Sequence, residues 1–195
     1  MAILKIARMG HPVLRRKADP IADPASPEIA GLVADMLDTL ADIGGVGLAA
    51  PQVHAPLRLV IFHIPPARAA AERYKDAGLE EESDGVPMTV LINPEIEAIG
   101  EDVNQAYESC LSVPDMMGEV ARYSDIVYRG QGLDGAPIER RASGFHARVV
   151  QHECDHLDGI LYPQRMTDMS TFGYNDEMRK FFAEQNEQES ETSED

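Results

Sequence analysis

From Phe145 to about Leu157 the chain contains no glycine or proline, and Gly159 stands just beyond as a stop, so this stretch reads as a helix. Within it lies His152-Glu153-Cys154-Asp155-His156. Residues four apart share one helical face, where two imidazoles can bind one metal ion. Glu153 is about a third of a turn away, placed to reach a water on such an ion without occupying the ion itself. The pattern alone also allows a chance pair of histidines on an exposed helix. A metal in a hydrolytic site wants three protein ligands and one open position, so the rest of the fold must bring a third ligand to this helix.

Cys110 is the candidate. It stands in Glu108-Ser109-Cys110-Leu111-Ser112, just before Val113 and Pro114, where an extended strand would end. A lone cysteine can equally be a small buried hydrophobe. Cys154 fits that description better, because its side chain leaves the helix away from the face shared by the two histidines. A third segment, Gly45-Val46-Gly47-Leu48-Ala49-Ala50-Pro51-Gln52, is small and apolar until it ends in an amide. Its glycines permit close backbone approach, and Gln52 can offer an N–H to an oxygen gaining negative charge. Taken alone, such a segment is also what an ordinary turn looks like.

A chain of 195 residues suits one domain with a single core. The net charge of −17 is concentrated in two places, Asp76, Glu80, Glu81, Glu82 and Asp84, and then Glu184, Glu187, Glu189, Glu191, Glu194 and Asp195. The expected organisation is a catalytic domain over 1–183 and an acidic, disordered tail over 184–195. Met1 to Gly10 is too short and too charged for a secretory signal, and no segment reads as a membrane span, so a cytoplasmic protein is expected. Two cysteines in that compartment argue against a structural disulfide.

Ile29, Leu32, Val33, Met36, Leu37, Leu40 and Ile43 recur at helical spacing, with Ser26 as cap, Pro27 at the first position and Gly44 as stop. Strands are expected over Leu57 to Ile64, Met88 to Asn93, Glu119 to Tyr128 and Pro137 to Ala142, with a turn at Asp134 and Gly135. A Pro-, Ala- and acid-rich insertion of roughly twenty residues separates the first two and reads as a surface loop. The fold class is therefore α+β, with mostly antiparallel strands packed around a central helix that carries the histidine motif.

Taken together, Gly45 to Gln52, the segment around Cys110 and Gln151-His152-Glu153-Cys154-Asp155-His156-Leu157-Asp158-Gly159 resemble the three ordered motifs of the peptide deformylase family. Gly10-His11-Pro12-Val13-Leu14-Arg15 resembles that family's opening, and the similarity runs from about residue 3 to about residue 175. The resemblance implies a hydrolase that removes the formyl group from formyl-methionyl nascent peptides and releases formate. It implies one divalent ion, ferrous in the cell and replaceable by zinc, nickel or cobalt, held by Cys110, His152 and His156. Glu153 would move the proton, and the Gln52 side chain and Leu111 N–H would hold the oxyanion. Gly45, Val46 and Gly47 would lie along the peptide, with Phe145, Arg148 and Val149 at its side-chain pocket. A transient ribosome partner is implied, and neither DNA nor a membrane.

Three positions depart from the family pattern: Ser109 where a glycine is usual, Met117 where many members carry an arginine, and Arg148 in place of an aliphatic residue. Arg148 is expected either to lay its stem along the pocket with its guanidinium in solvent, or to be a plain surface residue. Glu108 is a candidate partner for the second nitrogen of a ligand histidine. Two other readings are open. A zinc endopeptidase would draw its third ligand from Glu177, and an inactive binding module would keep the fold and lose the chemistry.

Overall fold

The computed structural model describes residues 2–65 and 85–192, with side chains through residue 185. Helix α1 spans Pro27–Ile43, and α2 spans Gly144–Leu157. The strands are β1 (Gly47–Ala49), β2 (Leu59–Ile64), β3 (Val86–Ala98), β4 (Val103–Cys110), β5 (Val113–Tyr123), β6 (Asp125–Gln131), β7 (Pro137–Ser143) and β8 (Gly173–Tyr174). A last helix, α3, spans Asn175–Thr192. The strands form two antiparallel sheets, ordered β1-β2-β3-β6-β7 and β4-β5-β8. The α+β class expected from the sequence is the class observed.

Local chemistry sets the ends of α1. The Ser26 hydroxyl accepts from the Ile29 N–H, and Gly44, at φ 70°, returns its own N–H to the Leu40 carbonyl. Its apolar stripe of Ile29, Val33, Met36 and Leu40 packs on Leu59, Ile61 and Ile92 from one face of the larger sheet. Val60, Phe62 and Ile64, the alternate residues of β2, point to the opposite face and pack with Phe145, Val149, Val150 and Leu157 of α2. A strand covered on both faces has no polar side, which is why Leu59-Val60-Ile61-Phe62 reads as a continuous apolar run.

Helix α2 lies between the two sheets. One side joins the apolar cluster on the larger sheet, while Arg148, Gln151, His152 and Asp155 hydrogen-bond to β4 and β5 of the smaller one. Along β4, alternation places Asn104, Ala106, Glu108 and Cys110 on one face, and the first three contribute atoms to hydrogen bonds with α2 side chains.

Several boundaries differ from the sequence reading. The strand expected over Glu119 to Tyr128 is two strands in different sheets, broken at Ser124, where the Ser124 N–H meets the Asp102 carbonyl and the Gly144 N–H meets the Ser124 carbonyl. Val120, Ile126 and Tyr128 keep an even spacing across the corner and no glycine or proline marks it, so the residue pattern does not reveal it. Strand β3 runs past Asn93 and Pro94 to Ala98, because a register shift between Ile92 and Glu95 absorbs the proline. Helix α3 continues to Thr192, through the segment whose charge pattern predicts a disordered tail. Glu184, Gln185, Glu187 and Gln188 are straight-chain residues of good helix propensity, and that local preference suits the helix. The expected surface loop, with Asp76, Glu80, Glu81, Glu82 and Asp84, lies outside the described residues.

Candidate active site

Strand β4 ends on Cys110, which pairs with Val113 across a two-residue turn of Leu111 and Ser112. That turn delivers the Cys110 sulfur to the helix face carrying the histidines. One donor atom each from Cys110, His152 and His156 lies within 4.8 Å of the others. The Cys110 Sγ is 3.4 Å from His156 Nε2, and the two imidazoles stand edge to face with centroids 5.0 Å apart. Cys110 is 8% exposed, His156 1%, and His152 exposes 11% of its side chain. A thiolate and two imidazoles on a short common radius, with access on one side, fit a divalent transition ion. The Cys110 thiol is held well below its ordinary pKa: burial opposes its ionisation, and the His156 charge with hydrogen bonds to both imidazoles outweighs it.

The ligands are held from below. His152 Nδ1 is 2.7 Å from Glu108 Oε2, so an Nδ1–H donated there turns Nε2 toward the metal position. Glu108, 6% exposed, accepts both Nε–H and Nη2–H of Arg122 at 2.9 Å. Burial alone would raise its pKa, but the bonds from Arg122 and His152 hold it well below the carboxylate range. Arg122 also reaches Asp155 at 2.5 Å, and Asp155 takes Arg165 at 2.6 Å and 3.1 Å. The Tyr162 ring lies nearly parallel to His152, at 22° with centroids 6.2 Å apart. Glu108 was legible as a second-nitrogen partner. Arg122, Asp155 and Arg165 were missed, although an arginine at an inward strand position such as Arg122 is a signal that an anion waits opposite it.

Above the ligands is a cavity of about 430 Å³. Glu153 lines it, 5% exposed, with its Oε2 buried and unpartnered. Burial outweighs the pull of the imidazoles and lifts its carboxyl to about 7. Gly47 packs against this side chain so tightly that a Cβ there would come within 2.6 Å of Glu153 Cδ. Gln52, 1% exposed, accepts the Ala49 N–H on Oε1 at 2.8 Å, which turns its NH₂ toward Ser112 Oγ at 3.3 Å and Cys110 Sγ at 3.5 Å. The N-terminal segment fixes both neighbours: the Ala7 N–H donates to the Gln52 carbonyl and the Met9 N–H to the Ser112 carbonyl, each at 2.7 Å.

Leu111, Gly45 and Val46 line the same cavity, as do Phe145, Arg148 and Val149. Every residue expected at the catalytic and substrate positions therefore meets one space. Arg148 is a correction in its manner of doing so. It is 4% exposed and neither reaches solvent nor lies on the surface, because its guanidinium turns into β4 and β5. Ser109 pairs with Met117 just before a register shift at Cys110 and needs no left-handed backbone, so its Cβ is accommodated. Cys154 packs with Ala147, Val150 and Leu157, as expected. Glu177 is 64% exposed, pairs with Lys180 at 2.9 Å and takes no part in the Cys-His-His cluster, the arrangement of three such donors found among the described residues.

A cysteine and two histidines around one metal position, with a buried carboxylate beside an enclosed cleft in an α+β fold, define a mononuclear metallohydrolase. The polypeptide deformylase family model matches residues 3–172. Among curated relatives, peptide deformylase 2 of Pseudomonas syringae pv. tomato is 49% identical over 180 residues, 90% of this chain and 94% of that one. Peptide deformylase 1 of Nitrosomonas europaea is 45% identical over 174 residues, 89% and 93% of the two chains. Among solved structures, a Met-Ala-Ser-bound class I type b peptide deformylase from Acinetobacter baumannii superposes with a TM-score of 0.73 at 34% identity, covering 85% of this chain and 99% of that one. The chain belongs to the polypeptide deformylase family.

Proposed function

We propose that this deformylase removes the N-formyl group from formyl-methionyl peptides with Glu153 as proton carrier, and with the Gln52 side chain and Leu111 N–H as oxyanion donors. The observation that carries the reading is the meeting of the Cys110, His152 and His156 cluster with an unpartnered Glu153 in one cleft. A divalent ion held by those three residues supplies Lewis acidity, making water more acidic and polarising a carbonyl oxygen. Ferrous iron is the proposed native ion, with zinc, nickel or cobalt as substitutes.

Glu153 accepts a proton from the attacking water and returns it to the amine nitrogen as the C–N bond breaks, so that formate and a free N-terminus leave together. Its raised pKa suits both directions of transfer. The Gln52 NH₂, fixed by the Ala49 bond, needs no reorganisation to meet negative charge developing on the formyl oxygen. Strand β1 ends the sheet order, and Gly45, Val46 and Gly47 line the cleft, so an extended peptide can add along that edge through main-chain hydrogen bonds. Phe145 and Val149 form apolar wall for the methionine side chain, beside the stem of Arg148.

We further propose that residues 1–183 form the catalytic domain, that the protein works in the cytoplasm, and that it meets nascent chains transiently at the ribosome. No helix among the described residues is long and apolar enough to cross a membrane. Purified protein loaded anaerobically with metal is assayed on formyl-Met-Ala-Ser and on casein. Formate release without casein cleavage is expected, and casein cleavage would restore the endopeptidase reading. Bound metal without either activity would favour the binding module.

A further inference from the structure

The guanidinium of Arg148 is buried beside an anion that already has a full partner. Arg122 grips both oxygens of Glu108 at 2.9 Å, which neutralises the carboxylate and fixes its plane. Arg148 adds a 2.8 Å bond to Oε1, the oxygen opposite the one that receives His152. Its other bonds go to main chain: the Val120 carbonyl at 2.8 Å, the Asn104 carbonyl at 2.7 Å and the Ala106 carbonyl at 3.4 Å, with Asn104 Oδ1 at 3.1 Å. One side chain of α2 thus ties β4 at Asn104, Ala106 and Glu108 and β5 at Val120. Strand β4 is the one that ends on Cys110.

Burying a second guanidinium costs desolvation, which presses the Arg148 pKa below the usual arginine range. Charge balance at Glu108 does not require it. What it adds is geometry, because the metal ligands come from two elements, β4 and α2, and Arg148 stands one turn before His152 on the same helix. We infer that Arg148 is a positioning residue for the metal centre, its guanidinium fixing the Cys110 strand and the Glu108 carboxylate relative to the histidine helix while its stem lines the cleft. The inference rests on the metal-site reading above and extends it.

Cobalt binding tests this without turnover. Wild type, Arg148→Ala, Arg148→Lys and the surface control Arg129→Ala are titrated with Co²⁺, following the visible absorption of the thiolate-ligated ion and competition with a chelator. Partners behind a metal ligand govern affinity by tenfold or more, so Arg148→Ala should bind Co²⁺ about tenfold more weakly and with a shifted absorption envelope. Arg148→Lys keeps a charge near Glu108 but cannot span Asn104 and Val120 together, and falls between. If the alanine variant does not fold, the lysine variant against wild type carries the same comparison. Arg129, 43% exposed and paired with Glu97 and Glu139, serves as a control that leaves both readouts unchanged. Variants that melt earlier yet keep wild-type cobalt affinity and absorption would overturn the inference, leaving Arg148 a purely structural tie. A wild-type chain that binds cobalt but releases no formate would refute the proposed function and leave this inference standing.

Discussion

Two buried glutamates within reach of the same ligand set live in opposite surroundings. Below the ligands, Glu108 is saturated by Arg122, Arg148 and His152 and held ionised. Above them, Glu153 has an orphaned oxygen and a carboxyl lifted to about 7. The same side chain is a fixed support in one region and a proton carrier in the other, and the environment alone separates the roles. A saturated carboxylate cannot take up a proton without breaking its bonds, whereas an unpartnered one near neutrality exchanges protons at little cost.

The two glutamates share the ligands, and the largest effect is expected there. Cys110→Ala should abolish tight metal retention, while Glu177→Ala leaves it nearly unchanged, as read by metal content after gel filtration. The reverse pattern would return the third ligand to Glu177. A smaller effect sharpens the upper region. Gly47→Ala drives a Cβ into the Glu153 carboxyl, and a displacement of that order should lower turnover about a hundredfold with metal content intact. Equal turnover would show that Glu153 acts from some other position. The smallest effect is expected at the far end of the chain. A chain ending at Phe182 keeps the packing of Phe182 on Tyr107, with centroids 4.9 Å apart, and should retain full activity on short formyl peptides. It should also co-sediment with ribosomes no worse than the whole chain across a salt series, because the six acids removed cannot neutralise RNA phosphates. Weaker association would mean that those acids meet a basic ribosomal protein.

What the sequence discloses follows the same division. Helix α1 announces itself through Ser26, Pro27, Gly44 and one apolar stripe, because a helix packed on one side writes its period into the chain. His152, His156 and Glu153 are legible because their chemistry demands fixed spacing on α2, and Cys110 and Gln52 through the motifs that hold them. The supports are not. Arg122 and Asp155 are 14 and 33 residues from or beyond their partners Glu108 and Arg122, and nothing local says which distant charge each will meet. Arg148 reads as an arginine that reaches solvent or lies on the surface because three of its acceptors are main-chain carbonyls, which exist everywhere in a sequence and become a site only after β4 and β5 pair. The corner at Ser124 and the irregularity at Asn93 and Pro94 escape for a similar reason: both depend on how sheets meet rather than on residue pattern.

The most direct test substitutes the two carboxylates in the same way. Glu108→Gln and Glu153→Gln are prepared anaerobically, and for each the metal dissociation constant and the turnover of the metal-saturated enzyme on formyl-Met-Ala-Ser are measured. Glu108→Gln should weaken metal binding by about tenfold to a hundredfold while retaining most turnover once saturated. Glu153→Gln should hold its metal normally and lose roughly a hundredfold or more in turnover. If both variants lose the same quantity, or if Glu153→Gln turns over near the normal rate, the division of labour between the two glutamates is wrong.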